Sequence, residues 1–190
     1  MAAPAIPWRV RFAARLLAGG GIVAYPTEAV YGLGCDPGDT AALIRLRRLK
    51  GRDADKGFIL IAADFHQLAP YIAPLPADMA RRVRRTWPGP VTWVVPAGPA
   101  ATPWLTGPRD TVAVRVTAHP VAAALCRAFG GAVVSTSANP QGLRPARDAL
   151  TVRRYFGGAV DFILTGPVDR RRGPSEIRDA RSDRVLRPAR

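Results

Sequence analysis

The chain has 190 residues, 48% of them hydrophobic, and a formal net charge of +14. That length suits one domain with a sizeable core, and no apolar run approaches the roughly 20 residues that span a bilayer. Met1 to Arg15 carries arginines with no apolar stretch behind them, which argues against a secretory leader. Cys35 and Cys126 stand outside any metal or disulfide spacing, as expected of reduced thiols in a cytoplasmic protein.

Taken in chain order, Trp8 to Ala18 reads as a helix with Val10, Ala14 and Leu17 on one face, ended by Gly19-Gly20-Gly21. Ile22 to Tyr25 is a short buried-type strand stopped by Pro26, and Tyr31-Gly32-Leu33-Gly34 reads as a turn. Thr40 to Leu49 is helical, with Leu43, Leu46 and Leu49 inward and Arg45, Arg47 and Arg48 outward. Phe58 to Ala63 is an apolar strand, and Pro76 to Trp87 a basic amphipathic helix opened by proline. Val91 to Val95 and Val112 to Val116 are strands. A helix from Pro120 to Phe129 ends at Gly130-Gly131. A strand from Ala132 to Ser135 runs into Ser137-Ala138-Asn139. Ala149 to Phe156 is a helix, Phe162 to Leu164 a strand, and short strands follow at Ser175 to Arg178 and Arg184 to Leu186. Strands and helices alternate from end to end, which predicts one α/β layer system. Irregular spacing and short connections predict a twisted mixed sheet.

The chain has only two lysines, Lys50 and Lys56, among 28 Lys+Arg, and they share the segment Lys50-Gly51-Arg52-Asp53-Ala54-Asp55-Lys56. Lysine is a compact point charge, arginine a planar fork. A segment that keeps lysine in an arginine-saturated chain points to phosphate, with a solvated helix end as the plain alternative. The arginines, including Arg170-Arg171-Arg172, are scattered in pairs and triplets, which predicts a positive face on a folded domain, not a basic tail.

Polar groups gather where strands end: Pro26-Thr27-Glu28 after the first, and Ser135-Thr136-Ser137-Ala138-Asn139 after a late one. Strand ends in open α/β sheets form the usual ligand crevice, although Ser, Thr and Asn there also serve as turn caps. Arg115, inside an apolar strand, faces opposite to Val114 and Val116. It either meets an acidic side chain or binds an anion such as a substrate carboxylate. No GxxxxGK[ST] or strand-following GxGxxG occurs, and His66 and His119 are badly spaced for a metal site or a Ser-His-Asp triad. An enzyme with this inventory works by positioning and electrostatics, in the style of phosphoryl and nucleotidyl transfer.

The segments Tyr25-Pro26-Thr27-Glu28-Ala29-Val30-Tyr31-Gly32-Leu33-Gly34, Lys50-Gly51-Arg52, Trp87-Pro88-Gly89-Pro90-Val91-Thr92, Val112-Ala113-Val114-Arg115-Val116, Ser135-Thr136-Ser137-Ala138-Asn139 and Pro174-Ser175-Glu176-Ile177-Arg178-Asp179 occur in that order. Together they resemble the YrdC/TsaC family, the threonylcarbamoyl-AMP synthases, in its short bacterial form. The resemblance covers nearly the whole chain and implies a single YrdC-like domain over residues 1–190, with a deep electropositive cavity. It implies formation of threonylcarbamoyl-AMP and pyrophosphate from L-threonine, bicarbonate (or CO2) and ATP. A separate transferase complex then modifies tRNA beside the anticodon.

Carried over residue by residue, the resemblance implies that Lys50 and Arg52 hold the ATP phosphates and are the catalytic cations, with Lys56 beside them. Ser137 and Asn139 complete the phosphate site, and Thr111 and Arg187 are further nucleotide contacts. Thr27, Arg115, Ser135 and Ser175 match threonine-binding positions, with Arg115 on the carboxylate. The loop Gly142 to Arg147 lies where the family closes over ATP, and Mg²⁺ comes with the nucleotide's phosphates rather than through protein ligands. The chain departs from longer relatives at Asp53, where a proline is common, at Lys56, where many carry a small polar residue, and at Ile61, where a histidine lies near threonine. Two other readings are an RNA-binding or ribosome-assembly module using the same cavity, with tRNA as a direct partner, and a carbamoyl-adenylating domain like those of hydrogenase maturation proteins. The latter are normally embedded in much longer chains with zinc fingers.

Overall fold

The computed structural model describes residues 7–53, 55–169 and 175–189. Ala54, Pro174 and the arginine triplet 170–172 lie outside the described residues, as does the start of the N-terminal stretch. The helices are α1 (Trp8–Ala18), α2 (Thr40–Lys50), α3 (Ala77–Arg84), the single turn α4 (Pro103–Thr106), α5 (Pro120–Phe129) and α6 (Ala149–Phe156). The strands are β1 (Val23–Pro26), β2 (Tyr31–Gly34), β3 (Ile59–Ala62), β4 (Thr92–Pro96), β5 (Thr111–Val116), β6 (Val133–Ser137), β7 (Phe162–Ile163), β8 (Ile177–Asp179) and β9 (Val185–Arg187). Among the described residues no helix is long and apolar enough to cross a membrane.

Local chemistry sets the helix ends. Asp39 Oδ1 accepts the Ala42 amide at 3.0 Å and starts α2, and Asp148 Oδ1 does the same for α6 through the Thr151 amide at 2.7 Å, each satisfying an orphan donor of a first turn. α2 stops at Gly51, which sits in the left-handed region with φ 59°. There the Gly51 amide donates to the Arg48 carbonyl and the Arg52 amide to the Arg47 carbonyl, both at 3.0 Å. That pair of bonds is a Schellman motif, and it turns the chain so that Arg52 follows Lys50 around the helix end. α3 ends three residues short of the expected Trp87.

The strands form one mixed sheet in the order β7-β1-β2-β6-β3-β5-β4-β8-β9, parallel at β7/β1, β3/β5 and β4/β8 and antiparallel elsewhere. The expected turn at residues 31–34 is instead strand β2, hydrogen-bonded to β1 and β6. Its alternating glycines are there for proximity. A Cβ on Gly34 would collide with the Val134 carbonyl and stand 2.9 Å from both the Tyr25 ring and Val133 Cγ1, so glycine lets three strands close together.

The two sheet faces do different work. On one, Leu60, Ala62, Val112, Val114 and Val134 share a core with Leu43 and Leu46 of α2. On the other, Val23, Tyr25, Ile61 and Val133 pack with Val10, Ala14 and Leu17 of α1 and Ala122 and Leu125 of α5. Along that second face the register places Ile59 level with both Ala113 and Ser135. These three line an open cavity next to the helix-covered part of the sheet.

Candidate active site

The cavity has a volume of about 470 Å³. Side chains two apart on β5, Thr111, Ala113 and Arg115, line its floor together with Ser135 and Ser137 of β6 and Val94 of β4, as strand alternation requires. Thr27 and Gly32 close one side, from the β1–β2 turn and β2. Ser175 and Arg187 close another, next to β8 and on β9. Five cations, Arg52, Lys56, Arg109, Arg115 and Arg187, and no carboxylate line it among the described residues. Of the site residues read from sequence, Lys50 and Asn139 are the two that lie behind the cavity wall.

Arg115 is 5% exposed. Both alternatives posed for it meet here: one Nη2 contact runs to Glu28 Oε2 at 3.5 Å, and the fork also opens on the cavity. Its Nη1 donates to Ser175 Oγ at 3.0 Å and to Thr92 Oγ1 at 3.4 Å. Glu28 is itself buried, and its Oε1 accepts from Thr117 Oγ1 at 2.7 Å and from the Ala118 amide at 3.1 Å. Burial pushes the Glu28 carboxyl up, but the Arg115 charge and these hydrogen bonds outweigh it and hold the group below its ordinary value. Glu28 is therefore ionised and fixes the Arg115 guanidinium in the wall. Thr27 Oγ1 donates to the Val30 carbonyl at 2.7 Å, and the residue lines the cavity.

On the opposite side lies the Lys50 segment. Lys50 is buried, and its Nζ donates to the carbonyl oxygens of Ser137 and Asn139 and to Asn139 Oδ1, the last at 3.0 Å. Ser137 Oγ donates to the same Oδ1 at 2.7 Å, and Asn139 Nδ2 donates to the Leu143 carbonyl at 2.7 Å. Lys50 thus clasps the loop that follows β6. Burial, and then the Arg52 charge, lower its pKa to about 8. Arg52 donates to the Lys56 and Gly57 carbonyls and lies 5.2 Å over the Phe58 ring. Burial lowers the Arg52 pKa first, with the Arg47 and Arg187 charges adding to it and Asp53 opposing. Arg187, which donates to the Ser175 carbonyl at 2.7 Å, is lowered by burial and by the Arg115 charge. Lys50, Arg52, Arg187 and Arg115 therefore form a chain of mutually repelling cations, an arrangement relieved by a ligand carrying spread negative charge.

Lys56 is exposed and pairs with Asp53 at 2.6 Å. The 142–147 loop is stapled at Ala146, whose amide donates to the Ala138 carbonyl and whose carbonyl accepts from the Tyr31 amide. Its Pro145 reaches the cavity. Ile61 is fully buried in the α1/α5 core. Cys35 is also buried, and burial pushes its thiol up to about 12, so it is an inert packing residue. Sequence reasoning missed Glu28 as the partner of Arg115, Thr92 beside it, and Arg109 and Phe58 in the wall. For Glu28 the signal was present: a buried strand arginine demands an acid, and Glu28 sits in the motif after β1.

A mixed α/β sheet carrying a cavity lined by five cations and, among the described residues, no carboxylate defines an α/β protein with a site suited to anionic ligands. The Sua5/YciO/YrdC profile, described as telomere recombination, matches residues 15–189, and the chain belongs to that family. It is similar to a protein of Nitrosococcus oceani named threonylcarbamoyl-AMP synthase, 60% identical over 180 residues that cover 95% of this chain and 97% of the other. A protein of the same name from Halorhodospira halophila is 59% identical over 181 residues, 95% of each chain. Among solved structures, P. abyssi Sua5 complexed with L-threonine superposes with a TM-score of 0.90 at 36% identity, covering 95% of this chain. The present chain spans 54% of that protein's length.

Proposed function

We propose that the chain is a threonylcarbamoyl-AMP synthase, joining L-threonine, bicarbonate and ATP into threonylcarbamoyl-AMP with release of pyrophosphate. The observation that carries this reading is one cavity in which a buried, Glu28-anchored Arg115 fork among hydroxyls stands at one end of a run of mutually repelling cations that continues through Arg187 and Arg52. Arg115 takes the threonine carboxylate as a bidentate pair, with Thr27, Ser135 and Ser175 within reach of the amine and hydroxyl. The neutral threonine amine adds to the bicarbonate carbon and one water leaves, forming a carbamate. A carbamate oxygen attacks the α-phosphorus, and the bond to the bridging oxygen of pyrophosphate breaks. Arg52, Lys56 and Arg187 meet the phosphates, with Thr111 and Ser137 beside them. Lys50 adds its charge from beneath the 137–139 loop. Fixed cations of this kind stabilise the charge that builds on the transferring group. Mg²⁺ would enter on the ATP phosphates and neutralise part of their charge there. Transfer of the product to tRNA by a separate complex belongs to the same proposal.

The test is pyrophosphate release with ATP, Mg²⁺, bicarbonate and L-threonine. Release is expected only when all are present, and a rate indifferent to threonine or bicarbonate overturns the reading. Lys50→Ala and Arg52→Ala are each expected to lower turnover by roughly 100-fold or more, the scale of losing one charge-stabilising group.

A further inference from the structure

Arg47 projects from the side of α2 that sequence periodicity assigns to solvent, and it is absent from the cavity wall. It is nonetheless half-buried, in a stack of rings and guanidinium groups. Its guanidinium lies 5.5 Å from the Trp104 ring centroid and 5.6 Å from that of Phe58. Arg52 occupies the same Phe58 ring at 5.2 Å. Arg47 Nη2 also donates to the Trp104 carbonyl at 3.3 Å and Nη1 to the Asp53 carbonyl at 3.4 Å. Through the Schellman turn its own carbonyl accepts the Arg52 amide. One residue therefore ties the end of α2, Arg52 and Asp53, and the α4 turn together, and it shares an aromatic platform with the cavity cation Arg52. The α4 turn is closed onto the same segment by the Phe58 amide donating to the Leu105 carbonyl at 2.8 Å and by Arg109 Nη1 donating to the Asp55 carbonyl at 2.8 Å.

We infer that Arg47 is a positioning residue for the phosphate subsite: it holds Arg52 and the 52–57 segment in place through Phe58, Trp104 and the Asp53 carbonyl, without touching substrate. This rests on the proposed synthase reading for what Arg52 contacts. Planarity is the property at stake. A lysine at 47 keeps the positive charge but lacks the fork that lies near two rings while donating to two carbonyls.

The test is Arg47→Lys, read in three ways. Amide hydrogen exchange of the ligand-free protein is expected to speed up in residues 52–57 and to stay as in wild type in β3, β5 and β6. ATP affinity by calorimetry is expected to weaken roughly tenfold, the scale of a desolvated guanidinium stack, with threonine affinity unchanged. In steady-state assays the KM for ATP is expected to rise while that for threonine holds. Trp104→Leu, outside the cavity, removes one layer of the same stack and is expected to give the same pattern at smaller size. If both variants keep wild-type exchange and ATP affinity, or if ATP and threonine affinities fall together with melting temperature, Arg47 is surface packing and the inference fails. If instead wild type releases no threonine-dependent pyrophosphate, it is the synthase reading that fails, while exchange and ATP binding still decide whether Arg47 positions Arg52.

Discussion

Lys50 is one of two lysines in the chain and is buried on three oxygens of the loop after β6, with a pKa lowered to about 8 by burial and the Arg52 charge. A phosphate nearby favours the ammonium, so nucleotide binding raises that pKa and takes up a proton when the free protein is near or above pH 8. ATP affinity is therefore expected to fall as pH rises through about 8, with proton uptake visible as a buffer-dependent binding enthalpy in calorimetry. Buffer-independent enthalpies at pH 8.5 would contradict the placement of Lys50 beside the phosphates. The same scale explains why Arg115 stood out in the sequence while its pairing with Glu28 was signalled only by the need for an acid. A charge in an apolar strand advertises itself, while its partner comes from another strand's turn, and no period in the sequence links them.

At the scale of elements, the end of α2 decides where the cations stand. Gly51 occupies left-handed space with φ 59°, and an L side chain there costs about 1–2 kcal/mol. Gly51→Ala is expected to lose about that much stability in denaturant titration and to weaken ATP more than threonine, because Arg52 follows the turn. An undiminished midpoint would mean that the turn tolerates a Cβ. The helix itself was read from the chain because its period is local, whereas the Gly51 stop was not among the sequence expectations. The β2 strand could not be read in that way: glycine at alternate positions looks like a turn until Tyr25, Val133 and Val134 are brought against it by tertiary pairing.

Across the whole molecule, the proposed synthase reading puts threonine and ATP on different parts of one cavity, threonine at Arg115 and ATP at the Lys50–Arg52 turn and Arg187. Each ligand is expected to stabilise the fold on its own. At about 100 times its Kd a ligand contributes about 2.7 kcal/mol, a rise of roughly 5–10 °C in melting temperature for a chain of this size. Arg115→Lys is expected to erase the threonine shift in differential scanning fluorimetry and leave the ATP shift. Loss of both shifts would show that the subsites are not separate. The scattered arginines matter less at this scale. Arg45 pairs with Asp161, Arg178 with Glu176 and Asp183, and Arg181 with Asp110. Of these, the exposed Arg181–Asp110 pair contributes little.

The sequence by itself determined the alternation of strands and helices, the inward faces of α1 and α2, the buried arginine of β5 and the clustering of lysines at one helix end. Each is a matter of local period, capping or composition. Only the tertiary structure decided the strand order, in which β6 lies between β2 and β3 and so carries Ser135 and Ser137 to the middle of the site. It also decided that Lys50 points under that loop, that Glu28 braces Arg115, and that Arg47 turns inward onto Phe58 and Trp104. Those outcomes depend on which distant segments share the sheet and the space above it, and no local period or cap in the chain records that.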